Sequence, residues 1–207
     1  MEIPYIIGIA GGTGAGKTTL AQTFLSALSP PQACLIPHDA YYRNLSHLPL
    51  ETRAQTNFDH PNALETELLI THLKALTNNQ TVQIPTYDFT SHTRTIETIP
   101  LTPRPIIIVE GILLFENTSL CDLFNLKIFV DADADIRFAR RLTRDVTERG
   151  RTPESVTQQY LSTVRPMHNT YVAPSRKQAD LIIPCEYNTT LATKLILTHL
   201  KSILSST

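Results

Sequence analysis

The sequence predicts an α/β protein: a mostly parallel sheet flanked by helices, folded as one domain over residues 1–207. Three observations carry that prediction. Short apolar runs of strand length alternate with stretches of helical apolar spacing, the pattern of successive strand–helix–strand units. The strand-like runs are continuously apolar, which suits strands buried in a parallel sheet. Five of the seven glycines (Gly8, Gly11, Gly12, Gly14 and Gly16) fall in the first 16 residues, where the first such run ends.

Taken in order, Tyr5–Ala10 reads as a buried strand, and a helix is expected from about Gly16 to Leu28, stopped by Pro30 and Pro31. Cys34–Ile36 reads as a second strand ending near Asp39, and Asn62–Leu76 has helical apolar spacing. Thr81–Pro103 is rich in Thr, Pro and β-branched residues and lacks a helical period, so it reads as an excursion of hairpin and loop. Pro105–Val109 is the strongest strand signal. Leu126–Val130 is a further strand, followed by helices from about Asp133 to Glu148 and from Pro153 to Thr170. Leu181–Ile183 is a last short strand, and Thr189–Ile203 a closing amphipathic helix. Nothing resembles a repeat, a low-complexity tract or a linker between two cores.

Composition excludes several classes. Lys and Arg number 18 against 19 Asp and Glu, a formal net charge of −1, so a general binder of nucleic acid or anionic membrane is not expected. Any basic site must be a local cluster. Cys34, Cys121 and Cys185 are far apart and form no C-x-x-C or Cys/His ligand spacing. That argues against structural zinc and a disulfide framework and fits a reducing, cytoplasmic setting. The longest apolar stretch, Pro105–Phe115, is interrupted by Glu110 and is too short to span a bilayer. The N-terminus has no positive leader, so no signal peptide is expected.

The glycine cluster points to chemistry. Gly11-Gly12-Thr13-Gly14-Ala15-Gly16-Lys17-Thr18 fits G-x-x-x-x-G-K-[ST], between a predicted strand and a predicted helix, as a phosphate loop requires. Backbone N–H groups and the helix N-terminus make a concave anion site in such a turn. Lys17 is expected to hold the β/γ-phosphates and the Thr18 hydroxyl to ligate Mg²⁺, with Thr19 closing the nucleotide-binding stretch. In open α/β sheets ligands lie beyond the carboxyl ends of the strands, which directs Glu110 and Asp39 to the same rim. Glu110 ends an apolar strand, a usual place for a magnesium-supporting carboxylate. Each has a plainer alternative: a strand-end cap for Glu110, a turn former for Asp39.

Six of the twelve arginines lie between residues 137 and 151. Arg137, Arg140, Arg141 and Arg144 follow i, i+3, i+4, i+7 and are expected on one helical face, with Ile136, Ala139, Leu142 and Val146 opposite. Arg149-Gly150-Arg151 adds a hinge carrying two more cations. The alternatives are a solvated face with i, i+4 pairs and a cationic lid over transferring phosphate. Two or three of the six are expected to act on substrate, and the spacing does not choose which.

A phosphate loop serves kinases, GTPase switches, motors and sensors. Neither N-K-x-D nor D-x-x-G occurs, against a GTPase. A small-molecule kinase needs an acceptor pocket and a base near the γ-phosphate, which the Asp39 region and the Tyr87–His92 excursion could supply. The rival from another class is a non-catalytic nucleotide sensor.

Five blocks resemble the uridine kinase (uridine–cytidine kinase) family in its bacterial form, over almost the whole chain: G-G-T-G-A-G-K-T; I-P-H-D-A-Y-Y-R; N-F-D-H-P-N-A; P-T-Y-D-F-T-S-H-T-R; and E-G-I-L-L-F through R-R-L-T-R-D-V-T-E-R-G-R. Phosphoribulokinase and pantothenate kinase share the scaffold but not this combination. The resemblance implies a phosphate-loop kinase sheet with a β-hairpin forming the nucleoside site and an arginine-rich lid. It implies transfer of the γ-phosphate of ATP or GTP to the 5′-hydroxyl of uridine, and cytidine too, in pyrimidine salvage, with Mg²⁺ and as a homotetramer. Asp39 matches the family's general base beside Mg²⁺, and Asp59 the acid that holds the ribose hydroxyls. Tyr87 and His92 match pyrimidine contacts, Arg141 and Arg151 nucleoside-site arginines, and Arg144 and Arg149 phosphate contacts. Thr18 and Glu110 match the magnesium shell.

On their own, these residues have plainer readings. Asp59 could cap the helix from Asn62, Tyr87 could be hairpin core, and His92 an exposed loop histidine. Phe58 and Phe89 are expected as core or pocket wall. Two departures stand out. His38 precedes Asp39 where the family often has Gln or Glu, and Pro184–Asn188 lacks the basic, glycine-containing loop the family commonly shows near the donor base.

Overall fold

The computed structural model describes residues 3–185 and 189–205. Among these, the strands are β1 (Tyr5–Gly11), β2 (Ala33–Pro37), β3 (Val82–Asp88), β4 (Thr93–Leu101), β5 (Ile106–Glu110), β6 (Leu126–Asp131) and β7 (Leu181–Pro184). The helices are α1 (Lys17–Ala27), α2 (Leu50–Ala54), α3 (Thr66–Thr77), α4 (Thr118–Cys121), α5 (Ala134–Thr147), α6 (Pro153–Gln159), α7 (Arg165–Met167), α8 (Ala173–Ser175) and α9 (Thr190–Ser205).

Five strands form a sheet in the order β2-β5-β1-β6-β7, every pairing parallel. The continuous apolar runs are explained by two covered faces. Ile106 and Ile108 join Ile7, Ile9, Ile128 and Val130 beneath α1 (Leu20, Phe24) and α9 (Ile196, Leu200). Their sequence neighbours Ile107 and Val109 join Ile6, Ala10 and Phe129 on the other face, beneath α3 (Leu69, Leu73, Leu76) and β3 (Val82, Ile84). Burying each such side chain contributes about 1.5–3 kcal/mol, so the central strands fix the frame that carries the site.

The excursion is a two-stranded antiparallel hairpin, β3 with β4, paired separately from the main sheet and carrying a register shift between Pro85 and Tyr87. Its mouth is tied down by Arg94. Arg94 donates from Nη1 to Glu65 Oε2 at 2.7 Å and from Nη2 to the Tyr41 carbonyl at 2.8 Å. Thr93, also buried, accepts from the Leu45 N–H at 2.8 Å.

Two expected helices differ in extent. The helix expected from Asn62 begins at Thr66, after a 3₁₀ turn over Pro61–Ala63. Tertiary pairing wins there: Leu64 bridges Tyr42, the Arg43 N–H bonds the Ala63 carbonyl and the Glu65 N–H the Tyr41 carbonyl. The helix expected to end at Thr170 continues to Gln178, through π-turns at Tyr160–Val164 and His168–Val172. Each π-turn stands just before a proline, Pro166 and Pro174. A widened turn accommodates a ring that lacks an N–H and would clash with the carbonyl four residues back. The short helices α2 and α4 had no sequence expectation.

Candidate active site

The carboxyl ends of β1, β2 and β5 converge. Glu110 pairs in register with Ile9 on one side and Pro37 on the other, so the last residue of β5 sits between the phosphate loop and the turn after β2. The loop leaves β1 at Gly11 and becomes α1 at Lys17. Gly14 (φ 75°) and Gly16 (φ 101°) adopt left-handed angles that other residues resist. A Cβ on Gly14 would run into the Arg137 carbonyl, and one on Gly16 would stand 3.2 Å from Cys185 Sγ. Lys17 is buried, and its Nζ donates to the Gly12 carbonyl at 3.1 Å. Burial pushes the Lys17 pKa down, while Glu110 and Asp39 oppose that shift.

Asp39 lies in a 3₁₀ turn, His38–Tyr41, directly after β2. Burial raises the Asp39 pKa, and Lys17, Arg149 and Arg144 hold it back. Burial likewise raises Glu110, opposed first by Lys17. The Thr18 hydroxyl donates to Glu110 Oε1 at 3.3 Å. A buried carboxylate (Glu110), a half-buried one (Asp39) and a hydroxyl thus lie in the field of one buried ammonium. Mg²⁺ binds through one or two carboxylates plus substrate phosphates, so this donor set fits it. His38 does not assist. It is 1% exposed, its Nε2 meets Thr66 Oγ1 at 3.3 Å, and burial lowers its pKa to about 3, leaving it neutral beside Asp39.

Tyr42 carried no expectation and belongs to this group. Its hydroxyl donates to Asp39, and burial with the nearby Asp39 and Asp59 pushes its pKa well up, keeping the proton in place. The sequence signal was the Tyr41-Tyr42 pair, two and three residues after Asp39.

Next to Asp39, through Tyr42, lies a cluster of aromatic side chains. The Tyr42 ring stands 5.2 Å from Phe58 and 5.0 Å from Tyr87, centroid to centroid. Phe58 stacks on His92 at 5.8 Å and 17°. His92 has φ 51°, a strained left-handed position for a non-glycine, and its pKa is lowered by burial and by Arg151. Asp59 is 8% exposed; burial raises its pKa, and Arg141 is the chief opposing charge. It does not cap the next turn: His60 Nδ1 accepts from the Asn62 N–H at 3.1 Å. Phe58, expected as core or pocket wall, is partly buried and packs against the core. Phe89 is 44% exposed and lies under the Arg149 guanidinium, 4.7 Å from the ring centroid, so it is not core.

The arginine helix is inside-out. Arg137, Arg141 and Asp145 are buried on α5, whereas Ile136 and Ala139 are exposed. The expectation of one shared face is corrected at Arg140. Arg140 is exposed and turned away, donating to the Cys185 carbonyl at 3.0 Å. One residue on a helix is a rotation of about 100°, enough to part it from Arg141. Arg141 donates to Thr13 Oγ1 at 3.1 Å and to Gln159 Oε1 at 2.9 Å, joining phosphate loop and lid. Arg151 donates to the same Gln159 oxygen at 2.5 Å. Arg144 and Arg149 ion-pair with Asp145 and contribute to the field on Asp39. Arg137 packs on the loop: a Cβ on Gly12 would lie 2.6 Å from its Nη1, and its Nη2 meets His168 Nε2 at 3.2 Å.

Sequence reasoning missed Asp145, Gln159 and His168 as well as Tyr42. Of the segment Pro184–Asn188, residues 186–188 lie outside the described residues, so that departure is not addressed by the geometry. No described helix is long and apolar enough to cross a membrane.

Residues 6–192 match the model of the Phosphoribulokinase / Uridine kinase family. A uridine kinase of Macrococcus caseolyticus is 50% identical over 204 residues, covering 99% of both chains. One from Chloroflexus aurantiacus is 48% identical, covering 99% of this chain and 98% of the relative. Among solved structures, phosphoribulokinase from Rhodobacter spheroides superposes with a TM-score of 0.65 at 19% identity, over 89% of this chain and 71% of that one. D-glycerate 3-kinase from Cryptococcus neoformans var. grubii gives 0.64 at 16% identity, over 91% and 88%. These distant superpositions speak for the scaffold, the close relatives for the lineage: the chain belongs to the phosphoribulokinase/uridine kinase family.

Proposed function

We propose that the protein is a uridine kinase, transferring the γ-phosphate of ATP or GTP to the 5′-hydroxyl of uridine and of cytidine, with Mg²⁺. The observation that carries this reading is a chain of neighbours. Lys17 of the loop and Asp39 act on each other, the Tyr42 hydroxyl bonds Asp39, the Tyr42 ring packs on Phe58 and Tyr87, and Asp59 feels both Asp39 and Lys17. Full-length relatives named uridine kinase at 48–50% identity support the choice of acceptor.

The residues then have defined tasks. The loop from Gly11 to Thr19 takes the donor phosphates, with Lys17 on the β/γ oxygens. Thr18, Asp39 and Glu110 would hold the metal, which would supply charge neutralisation for the phosphates of the donor. Asp39, made more basic by burial, accepts the proton of the 5′-hydroxyl as the oxygen bonds to the γ-phosphorus. The bond to the β–γ bridging oxygen breaks, and that oxygen leaves with the diphosphate. Arg144 and Arg149 stabilise the transferring charge. Asp59 accepts from the ribose hydroxyls, which favours ribose over deoxyribose. Tyr87 packs on the base, His92 donates to a pyrimidine carbonyl, and Arg141 and Arg151 hold the nucleoside. The assembly is a single domain in the cytoplasm that works as a homotetramer. Ile96 and Ile99, 101% and 57% exposed on β4, offer apolar surface for contact between copies.

Turnover of uridine, cytidine and adenosine with ATP and with GTP tests the reading. Monophosphate from the two pyrimidine nucleosides is expected. Nucleotide binding without acceptor-dependent turnover would instead make the chain a sensor, and turnover only of a non-nucleoside alcohol a sibling kinase.

A further inference from the structure

Asp145 is the one carboxylate on the buried face of α5, and its side chain is 0% exposed. Four arginines approach it. Its Oδ1 accepts from Arg144, at 2.9 Å from Nε and 2.8 Å from Nη2, and lies 3.5 Å from Arg149 Nη1. Its Oδ2 faces Arg141 Nε at 3.5 Å and Arg151 Nη1 at 3.8 Å. The two oxygens therefore divide the lid. One takes the pair assigned above to phosphate, the other the pair assigned to the nucleoside. Asp145 Oδ2 and Arg141 Nε are both buried without a hydrogen-bond partner, and they oppose each other.

Four guanidinium groups this close repel one another, and the repulsion grows as water is excluded. Asp59 opposes it at Arg141 and Asp39 at Arg149, but on α5 Asp145 is the one buried carboxylate and the one in ion-pair contact with all four. Two arginines sharing one oxygen are held together, and two such pairs sharing one carboxylate are held in fixed relation. A ligand that draws one pair away changes the charge left for the other pair, which is the physical form of coupling between two sites.

We propose that Asp145 is a positioning residue that binds the phosphate-side and nucleoside-side arginines into one unit, coupling donor and acceptor binding through its two oxygens. The assignment of sides rests on the kinase reading above; the four-arginine cluster does not.

Two variants and two readouts test it. In Asp145→Asn, kcat for uridine phosphorylation is expected to fall about 10²-fold, with KM for uridine and for ATP each rising about tenfold. A merely structural role would reduce the active fraction, lowering apparent kcat and leaving both KM values in place. Asp145→Glu keeps the charge and displaces it by one methylene, so both KM values are expected to rise together but less than in Asn. If the Asn variant does not fold, the Glu variant decides. The second readout needs no kinase activity. Trypsin cleavage after Arg149 and Arg151, followed by mass spectrometry, is expected to quicken in the Asn variant, which loses the carboxylate, and to a smaller degree in the Glu variant, where the carboxylate is displaced from those side chains. Asn kinetics within about threefold of wild type, a Glu variant in which only one KM moves, or unchanged cleavage would each overturn the proposal. A wild-type protein that bound nucleotide but phosphorylated no nucleoside would sink the kinase reading instead, and the cleavage rates would still judge Asp145.

Discussion

Thr18 Oγ1 donates to Glu110 Oε1 at 3.3 Å, joining the first turn of α1 to the last residue of β5 across 92 positions of sequence. The bond places a hydroxyl and a buried carboxylate on the rim where the donor phosphates would lie. Glu110→Gln keeps the size and a hydrogen-bond acceptor but removes the charge. The Mg²⁺ concentration for half-maximal activity is expected to rise about tenfold or more, with removal of Mg²⁺ by EDTA abolishing turnover of both proteins. An unchanged Mg²⁺ dependence would reduce Glu110 to a partner of Thr18.

His92 is held at φ 51° against the face of Phe58, a cost of about 1–3 kcal/mol that pocket geometry must over-determine. His92→Ala is expected to raise KM for uridine by about tenfold and to flatten the preference for pyrimidine over purine nucleosides, with donor KM little changed. Comparing kcat/KM for uridine, cytidine and adenosine checks this. An unaltered ranking would return His92 to the hairpin.

Arg140 and Arg141 are neighbours in sequence with opposite surroundings. Arg141→Ala is expected to lower kcat/KM about 10²-fold or more, since it unties Thr13, Gln159 and Asp145 together. Arg140→Ala removes one exposed bond to the Cys185 carbonyl and is expected to stay within about threefold of wild type. Equal losses would mean that the buried face has no special role. Arg137→Ala is not a neutral control, because Arg137 packs on the phosphate loop.

His168 meets Arg137, and burial with that positive neighbour lowers its pKa to about 4. In the unfolded chain an ordinary histidine takes its proton near pH 6.5. The unfolded state therefore binds more protons between those values, and stability falls as pH drops from about 6.5 towards 4. His168→Gln is expected to flatten that fall. Urea unfolding of both proteins at pH 7.5 and 5 measures it, and identical losses would show that His168 does not contribute.

Legibility from sequence followed the range of the interactions. The phosphate loop was readable because its glycines, lysine and threonine act through local backbone geometry. The strands were readable because burial on both faces leaves unbroken apolar runs. Asp59 lost its capping alternative only through His60, a choice between adjacent side chains that spacing does not make. Helix α5 is amphipathic by pattern, but the pattern does not say which face is inward. Ordinary physics would bury Ile136 and expose Arg141, and the reverse is found because the charged face packs against the phosphate loop, through Arg141 on Thr13 and Arg137 on Gly12. Asp145 reads in sequence as an ordinary i, i+4 partner of Arg141. Its importance comes from Arg149, a second partner four residues on, and from Arg151, folded back onto it after Gly150 turns the chain at φ 64°.

The central claim is transfer of phosphate from a donor held by the loop to a pyrimidine nucleoside whose hydroxyl gives its proton to Asp39. Phosphorus NMR of protein, Mg²⁺, ATP and uridine tests it most directly, with Asp39→Asn alongside. Wild type should yield UMP in equal amount with ADP, and the variant should bind the nucleotide comparably yet turn over about 10²–10⁴-fold more slowly. ADP without a nucleoside monophosphate, or a variant as fast as wild type, would contradict it.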